Sequence, residues 1–150
     1  MSISKEIKIG YRVETIQTVK FSFEDISEEE LNKLMSDPKG LLIDVNIHTN
    51  INKESSTITL DVSTNLFKSN DNTLLVHHTG RTSYYIDGLE KTANTNNTSF
   101  DLPNNLLIQL YSIAYTHARA LLSVEISPTT YRNKYFLPVI NPNSLIPTPK

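Results

Sequence analysis

Residues 101–124 read DLPNNLLIQLYSIAYTHARALLSV, and the reading of this stretch decides the fold. Leu106, Leu110, Ile113, His117, Leu121 and Val124 recur at three- and four-residue steps, so they share one helix face, which Leu107, Ala114 and Leu122 widen. Asp101 offers an N-cap carboxylate, and Pro103 suits a first turn because its missing N–H has no intrahelical partner there. At about 1.5 Å per residue such a helix reaches roughly 35 Å, enough to lie across an antiparallel sheet. The remainder of the chain must supply that sheet.

Upstream, Ile7, Ile9, Tyr11 and Val13 alternate with polar residues, and Val19, Phe21 and Phe23 resume the same parity with Ile16 out of phase. This predicts one long first strand, bulged near 15–17. Ser27 and Glu30 have the spacing of a capping box, and Ile26 and Leu31 that of a hydrophobic staple, which predicts a short helix over 28–35. Asp37-Pro38-Lys39-Gly40 ends it. Leu41, Ile43, Val45, Ile47 and Ile51 then keep odd parity, and Ile58, Leu60, Val62 and Leu66 even parity, across a short turn at 52–55. A second turn at 69–72 leads to a fourth run, 73–86, where Gly80 marks a bulge or the close approach of another backbone. Residues 87–99 form a polar loop. After the long helix Pro128 breaks the chain, 131–139 reads as extended, and Pro138, Pro142, Pro147 and Pro149 forbid further regular helix. The expected fold is α+β: a four-stranded antiparallel meander with one long helix packed on one face, as one domain over 1–150 with an extended tail from about 138.

Composition narrows the function. A net charge of −2 gives no electrostatic reason to expect nucleic acid or an anionic membrane as partner. With no cysteine there is no disulfide frame, thiolate zinc site or cysteine nucleophile. The N-terminus lacks the apolar run and cleavage site of a signal peptide, so a cytoplasmic location is expected and the Asn-x-Ser/Thr matches at Asn96 and Asn97 read as chance. No apolar run is long enough to span a membrane. His77 and His78 are neighbours in a strand and point to opposite faces, and His48 lies apart, a poor arrangement for a metal. Ser112 and His117 do not face each other on a helix, and no Gly-x-Ser-x-Gly turn exists. Neither catalysis nor a cofactor is expected. Glu24, Asp25, Glu28, Glu29 and Glu30 read as a solvated start to the short helix, in preference to a docking patch for a basic partner. Arg119 reads as structural.

Tyr84, Tyr85, Ile86, Tyr131, Tyr135, Phe136, Leu137, Val139, Ile140, Leu145 and Ile146 are many apolar groups in segments that read as sheet edge or loop. Two readings fit: packing of the tail over the sheet, or an exposed apolar groove that marks an interaction surface.

The order of elements, Gly80 followed by Tyr84-Tyr85-Ile86-Asp87-Gly88, the proline-started long helix with Ala118-Arg119-Ala120-Leu121 near its end, and Leu137-Pro138-Val139-Ile140-Asn141-Pro142-Asn143-Ser144-Leu145 together resemble the SecB family of export chaperones. The resemblance spans about 7–145. It implies a cytoplasmic, non-enzymatic holdase for unfolded polypeptide clients, a homo-oligomer (dimer or tetramer) and an export motor among its partners. The chain departs from the family where Pro142, Pro147 and Pro149 replace a second C-terminal helix and docking tail, and where the middle strands offer only Asp44, Glu54 and Asp61 as acids. These departures bear on docking to the motor, and they make a SecB-like chaperone dedicated to one client the alternative to a holdase acting in protein export. On this resemblance Tyr84, Tyr85, Ile86, Phe136, Leu137, Val139 and Leu145 are expected at the client surface, and Tyr11, Val13, Leu110, Ile113, His117 and Leu121 in self-association. A structural oligomer subunit would show the same residues. A hot-dog thioesterase fits worse, because its long helix comes early and carries a carboxylate, and here no acid lies between Asp101 and Glu125.

Overall fold

A computed structural model describes residues 10–89, 102–141 and 144. Ile7, Ile9, most of the polar loop, Asp101 and Leu145 lie outside the described residues. The elements are β1 (Tyr11–Phe23), α1 (Glu28–Ser36), β2 (Leu41–Asn52), β3 (Thr57–Lys68), β4 (Leu74–Ile86) and α2 (Asn104–Glu125). The four strands form one antiparallel sheet in the order β1-β4-β3-β2, and α2 lies on one face over β4, with β1 and β3 to either side. The meander runs through β2, β3 and β4. β1 joins the far side of β4, and α1 carries the chain back across the end of the sheet to the β2 edge.

β1 follows its partner through two irregularities, at Glu14 and at Val19. Each inserts one residue and reverses the parity of the residues after it. Tyr11, Val13, Ile16, Thr18, Phe21 and Phe23 therefore lie opposite Ile86, Tyr84, Thr82, Gly80, His78 and Val76, all on the helix side of the sheet. The out-of-phase Ile16 is thereby brought onto the same face as its neighbours; the sequence indicates one bulge at 15–17, and two flank that segment.

Ser27 Oγ accepts the Glu30 N–H at 3.1 Å, but the Glu30 carboxylate turns away to Lys68 Nζ at 2.8 Å, so only half of the capping box forms. Leu31 is the buried anchor of α1. Gly40 is obligatory behind it, since any Cβ there would collide with the Leu34 carbonyl oxygen.

α2 starts at Asn104, with Pro103 as the preceding residue and no side-chain cap; the Leu106 and Leu107 N–H groups bond the Pro103 carbonyl. The cap expected from Asp101 thus falls to Pro103. Its buried face is Leu106, Leu110, Tyr111, Ala114, Tyr115, Ala118 and Leu122, rotated from the stripe that apolar spacing alone suggests. Tyrosine is the reason: Tyr111 and Tyr115 bury their rings and satisfy their hydroxyls on Thr49 Oγ1 and the Pro138 carbonyl. Val124, counted in that stripe, is 70% exposed.

After α2 the chain passes through turns over 126–134, not an extended run, and folds back along the sheet. Tyr131, fully buried, donates to the Glu24 carbonyl at 2.7 Å, and Tyr135 bonds Thr64 at 2.5 Å. Burial, and then the nearby carboxylates of Glu24, Asp25 and Glu30, push the Tyr131 hydroxyl up to about 12, so it stays a donor at neutral pH. Tyr84 plays the matching role under α2, donating to the Leu110 carbonyl at 2.7 Å. Tyr84→Phe is expected to cost about 1 kcal/mol in urea unfolding without changing the fold; an unchanged midpoint would show that this hydrogen bond contributes nothing net.

Candidate functional site

The central strands decide where the aromatic cluster goes. β4 has β1 on one side and β3 on the other, so its even-numbered side chains lie beneath α2. Tyr84 and Ile86 are completely buried there, and Leu137, part of the returning segment, is buried as well. These three are core residues of the subunit, which corrects their expected place at the client surface; the sequence reads them as edge residues because it does not reveal that β1 closes the far side of β4. Tyr85 points to the opposite face, where the Arg12 guanidinium lies 4.4 Å over its ring. Phe136 and Val139 are open, at 55% and 81% exposure.

Two apolar surfaces flank α2. On the β1 side, Val13, Ile16 and Phe23 show about 40% or more of their surface, Ile16 reaching 46%. Above them runs the flank of α2 that bears Ile113, His117, Leu121 and Val124, all half-buried except Val124. His117 Nδ1 meets Thr82 Oγ1 at 3.0 Å, and burial lowers the imidazole's affinity for a proton. Among the residues expected in self-association, Val13, Ile113, His117 and Leu121 fall on this surface with the half-buried Tyr11, whereas Leu110 is core.

On the β2 side, α1, the start of β2 and the returning segment enclose an apolar cleft of about 120 Å³, lined by Leu31, Met35, Leu41, Ile43, Leu66, Tyr135 and Phe136 with the Lys134 stem. Met35, Ile43 and Phe136 form its open rim. Lys134 Nζ is held by Glu28 at 3.0 Å, which ties the acidic start of α1 to this cleft wall. Phe136 also borders a second, more open hollow against the outer side of α2, with Thr116, Arg119, Ala120 and Ser123. Sequence reasoning missed Met35 and Ile43, whose side chains read as ordinary members of their elements.

The opposite face of the sheet is polar and uncovered among the described residues. Asp61 and Arg81 form a bidentate pair at 2.8 and 2.9 Å, with Thr59–Ser83 at 3.1 Å, Ser63–Thr79 at 2.8 Å and Asn65–His77 at 2.6 Å beside it. Among the described residues its charged side chains are Glu14, Asp44 and Asp61 against Arg12, Lys20 and Arg81, with Glu14 3.6 Å from Arg12, so it is not acidic. His77 is on this face and His78 on the other, as their adjacency requires. Among the described residues no three metal-ligating groups come together, and no helix is long and apolar enough to cross a membrane.

No protein-family model and no curated protein match the chain. Solved structures do. The SecB-like chaperone Rv1957 of Mycobacterium tuberculosis, in complex with a ChAD peptide from the Rv1956 HigA1 antitoxin, aligns with a TM-score of 0.53 over 87% of this chain and 91% of that one, at 9% identity. A Streptococcus agalactiae protein of unknown function aligns over 88% of this chain and 99% of its own, at 14% identity and a TM-score of 0.39. At 9% identity the likeness to Rv1957 is one of fold alone: the chain has a distantly SecB-like fold.

Proposed function

We propose that this chain is a non-enzymatic polypeptide-binding chaperone that holds extended, unfolded clients in the apolar cleft beside β2. The observation that carries the reading is that cleft: in a SecB-like fold, α1, β2 and the returning segment leave an apolar hollow open to solvent with Phe136 standing at its rim. Apolar contacts are non-directional, so one hollow accepts many side chains. The β1 strip and the adjoining flank of α2 serve self-association into a homo-oligomer. Two observations favour a chaperone dedicated to one client over general export: the polar sheet face offers no acidic surface to a motor, and Rv1957 was solved with an antitoxin peptide. The protein acts in the cytoplasm.

The test is the mass by light scattering of the protein alone and with a reduced, chemically unfolded preprotein. Uptake of the unfolded chain by a stable oligomer, and none of the same protein when folded, supports the reading; an inert oligomer makes the protein a structural subunit. Phe136→Ser should weaken client binding about tenfold with little change in Tm, because the ring is more than half exposed. Tyr85→Ser, on the far face, should leave binding intact. Equal loss in both variants would place the client elsewhere.

A further inference from the structure

Among the described residues the sheet has two open edges, and they are built differently. β1 carries Arg12, Glu14 and Lys20 and is broken twice, at Glu14 and Val19, so no regular ladder can extend along it for more than a few residues. Charges and bulges are the devices by which edge strands resist further pairing. β2 has no bulge and a single such charge. Its twelve residues, LLIDVNIHTNIN, pair with β3 without a single register shift, and Asp44 is its one Asp, Glu, Lys or Arg.

The phase of the ladder shows what that edge offers. The Ser69 N–H donates to the Gly40 carbonyl at 3.1 Å, so even-numbered β2 residues exchange hydrogen bonds with β3. By alternation, the N–H and C=O groups of Ile43, Val45, Ile47, Thr49 and Ile51 point to the open edge, where no strand pairs among the described residues. The same residues turn their side chains to the helix side, as the Thr49–Tyr111 contact at 3.1 Å shows. The edge therefore presents backbone groups in register with an apolar row, and the cleft lies at its Leu41–Ile43 end.

We infer that a client segment is held as a fifth strand on the β2 edge, with one large apolar side chain seated in the cleft. The inference rests on the polypeptide-binding reading above and specifies its occupant. That occupant is an extended segment with apolar residues at every second position, facing the helix side, and a basic residue on its polar side near Asp44. Backbone pairing gives affinity independent of sequence, while the alternating row selects the phase of the client.

The probe is a fluorescent synthetic peptide as long as β2, with alternating valine and lysine or threonine and one phenylalanine. Val45→Pro removes one outward N–H and leaves the β3 ladder intact, a substitution an edge strand tolerates. It should weaken binding about tenfold or more, against about threefold or less for Val45→Ala. Independently, N-methylation of the peptide on one parity should abolish binding and on the other leave it. Equal binding by Val45→Pro and Val45→Ala, or indifference to the parity of N-methylation, overturns strand addition while uptake by the wild type keeps the chaperone reading. Should Val45→Pro unfold, the methylated peptides alone decide. Absence of any binding by the wild type, to the peptide and to an unfolded preprotein alike, overturns the chaperone reading, and strand addition falls with it.

Discussion

Gly80→Val is expected to destabilise the protein by about 3 kcal/mol, and Gly80→Ala by about 1 kcal/mol. Gly80 is the point where α2 comes down on the sheet. A Cβ built on it would lie 3.2 Å from Leu121 Cδ1 and 3.3 Å from both Cα and Cβ of Ala118. The Leu121 methyl can swing aside, but the Ala118 contacts are to backbone and to the stub of the helix itself. Alanine therefore needs a shift of a few tenths of an ångström, whereas the two γ-carbons of valine must lift the helix. Lifting it opens the layer made by Ala114, Ala118 and Leu122, all buried against β3 and β4. Urea unfolding of the three proteins should give a graded series at constant slope. A valine variant within about 0.5 kcal/mol of wild type would mean that α2 is not seated on Gly80.

Acid should weaken the fold through His78. The residue is fully buried on the helix side of β4, with Nε2 at 3.0 Å from Thr18 Oγ1, the Phe21 ring edge-on, and Nδ1 without a partner among the described residues. Burial, with a smaller contribution from neighbouring His77, brings its pKa down to about 4 from the ordinary 6.5. Above pH 6.5 the imidazole is neutral in both folded and unfolded chains and pH has no effect through it. Between 6.5 and 4 the unfolded chain takes up a proton that the folded one refuses, so stability falls as pH falls, by about 2 kcal/mol at pH 5 and on the order of 3 kcal/mol below pH 4. The directions at His77 and His117 are the same, both from burial, and add to the slope. Unfolding at pH 7 and pH 5 measures it. His78→Phe, which keeps a ring of similar size in an apolar site, should flatten the dependence; a profile as steep in that variant as in wild type would assign the acid sensitivity elsewhere.

Much of this architecture is legible in the sequence because period-2 and cap signals are local. The parity of β2 and β3 and the Ser27 cap follow from neighbours in the chain; Gly80 read only as a bulge or the close approach of some backbone, and the structure shows that backbone to be α2. Strand order does not: nothing within β1 states that it pairs with β4, and so Tyr84 and Ile86 read as edge residues when they are core. Tyr111 and Tyr115 turned the buried face of α2 because a hydropathy pattern does not know where a hydroxyl will find a carbonyl or a threonine. The client cleft was legible least, since it needs α1, β2 and the returning segment together; Phe136 pointed to it, and Met35 and Ile43 became visible only in three dimensions.

The two insertions in β1 bear on how relatives of this protein can be recognised. Between Thr15 and Thr18 the strand runs one step out of phase with both of its ends, and the second insertion cancels the first. A homologue lacking both would look, letter for letter, as if its inward and outward residues had been exchanged over part of the strand. Unless a gap is opened at each place, an alignment compares core positions with solvent positions there. Two single-residue gaps restore the correspondence, one of them alone does not, and chains of this shape can therefore share a fold while their sequences look unrelated.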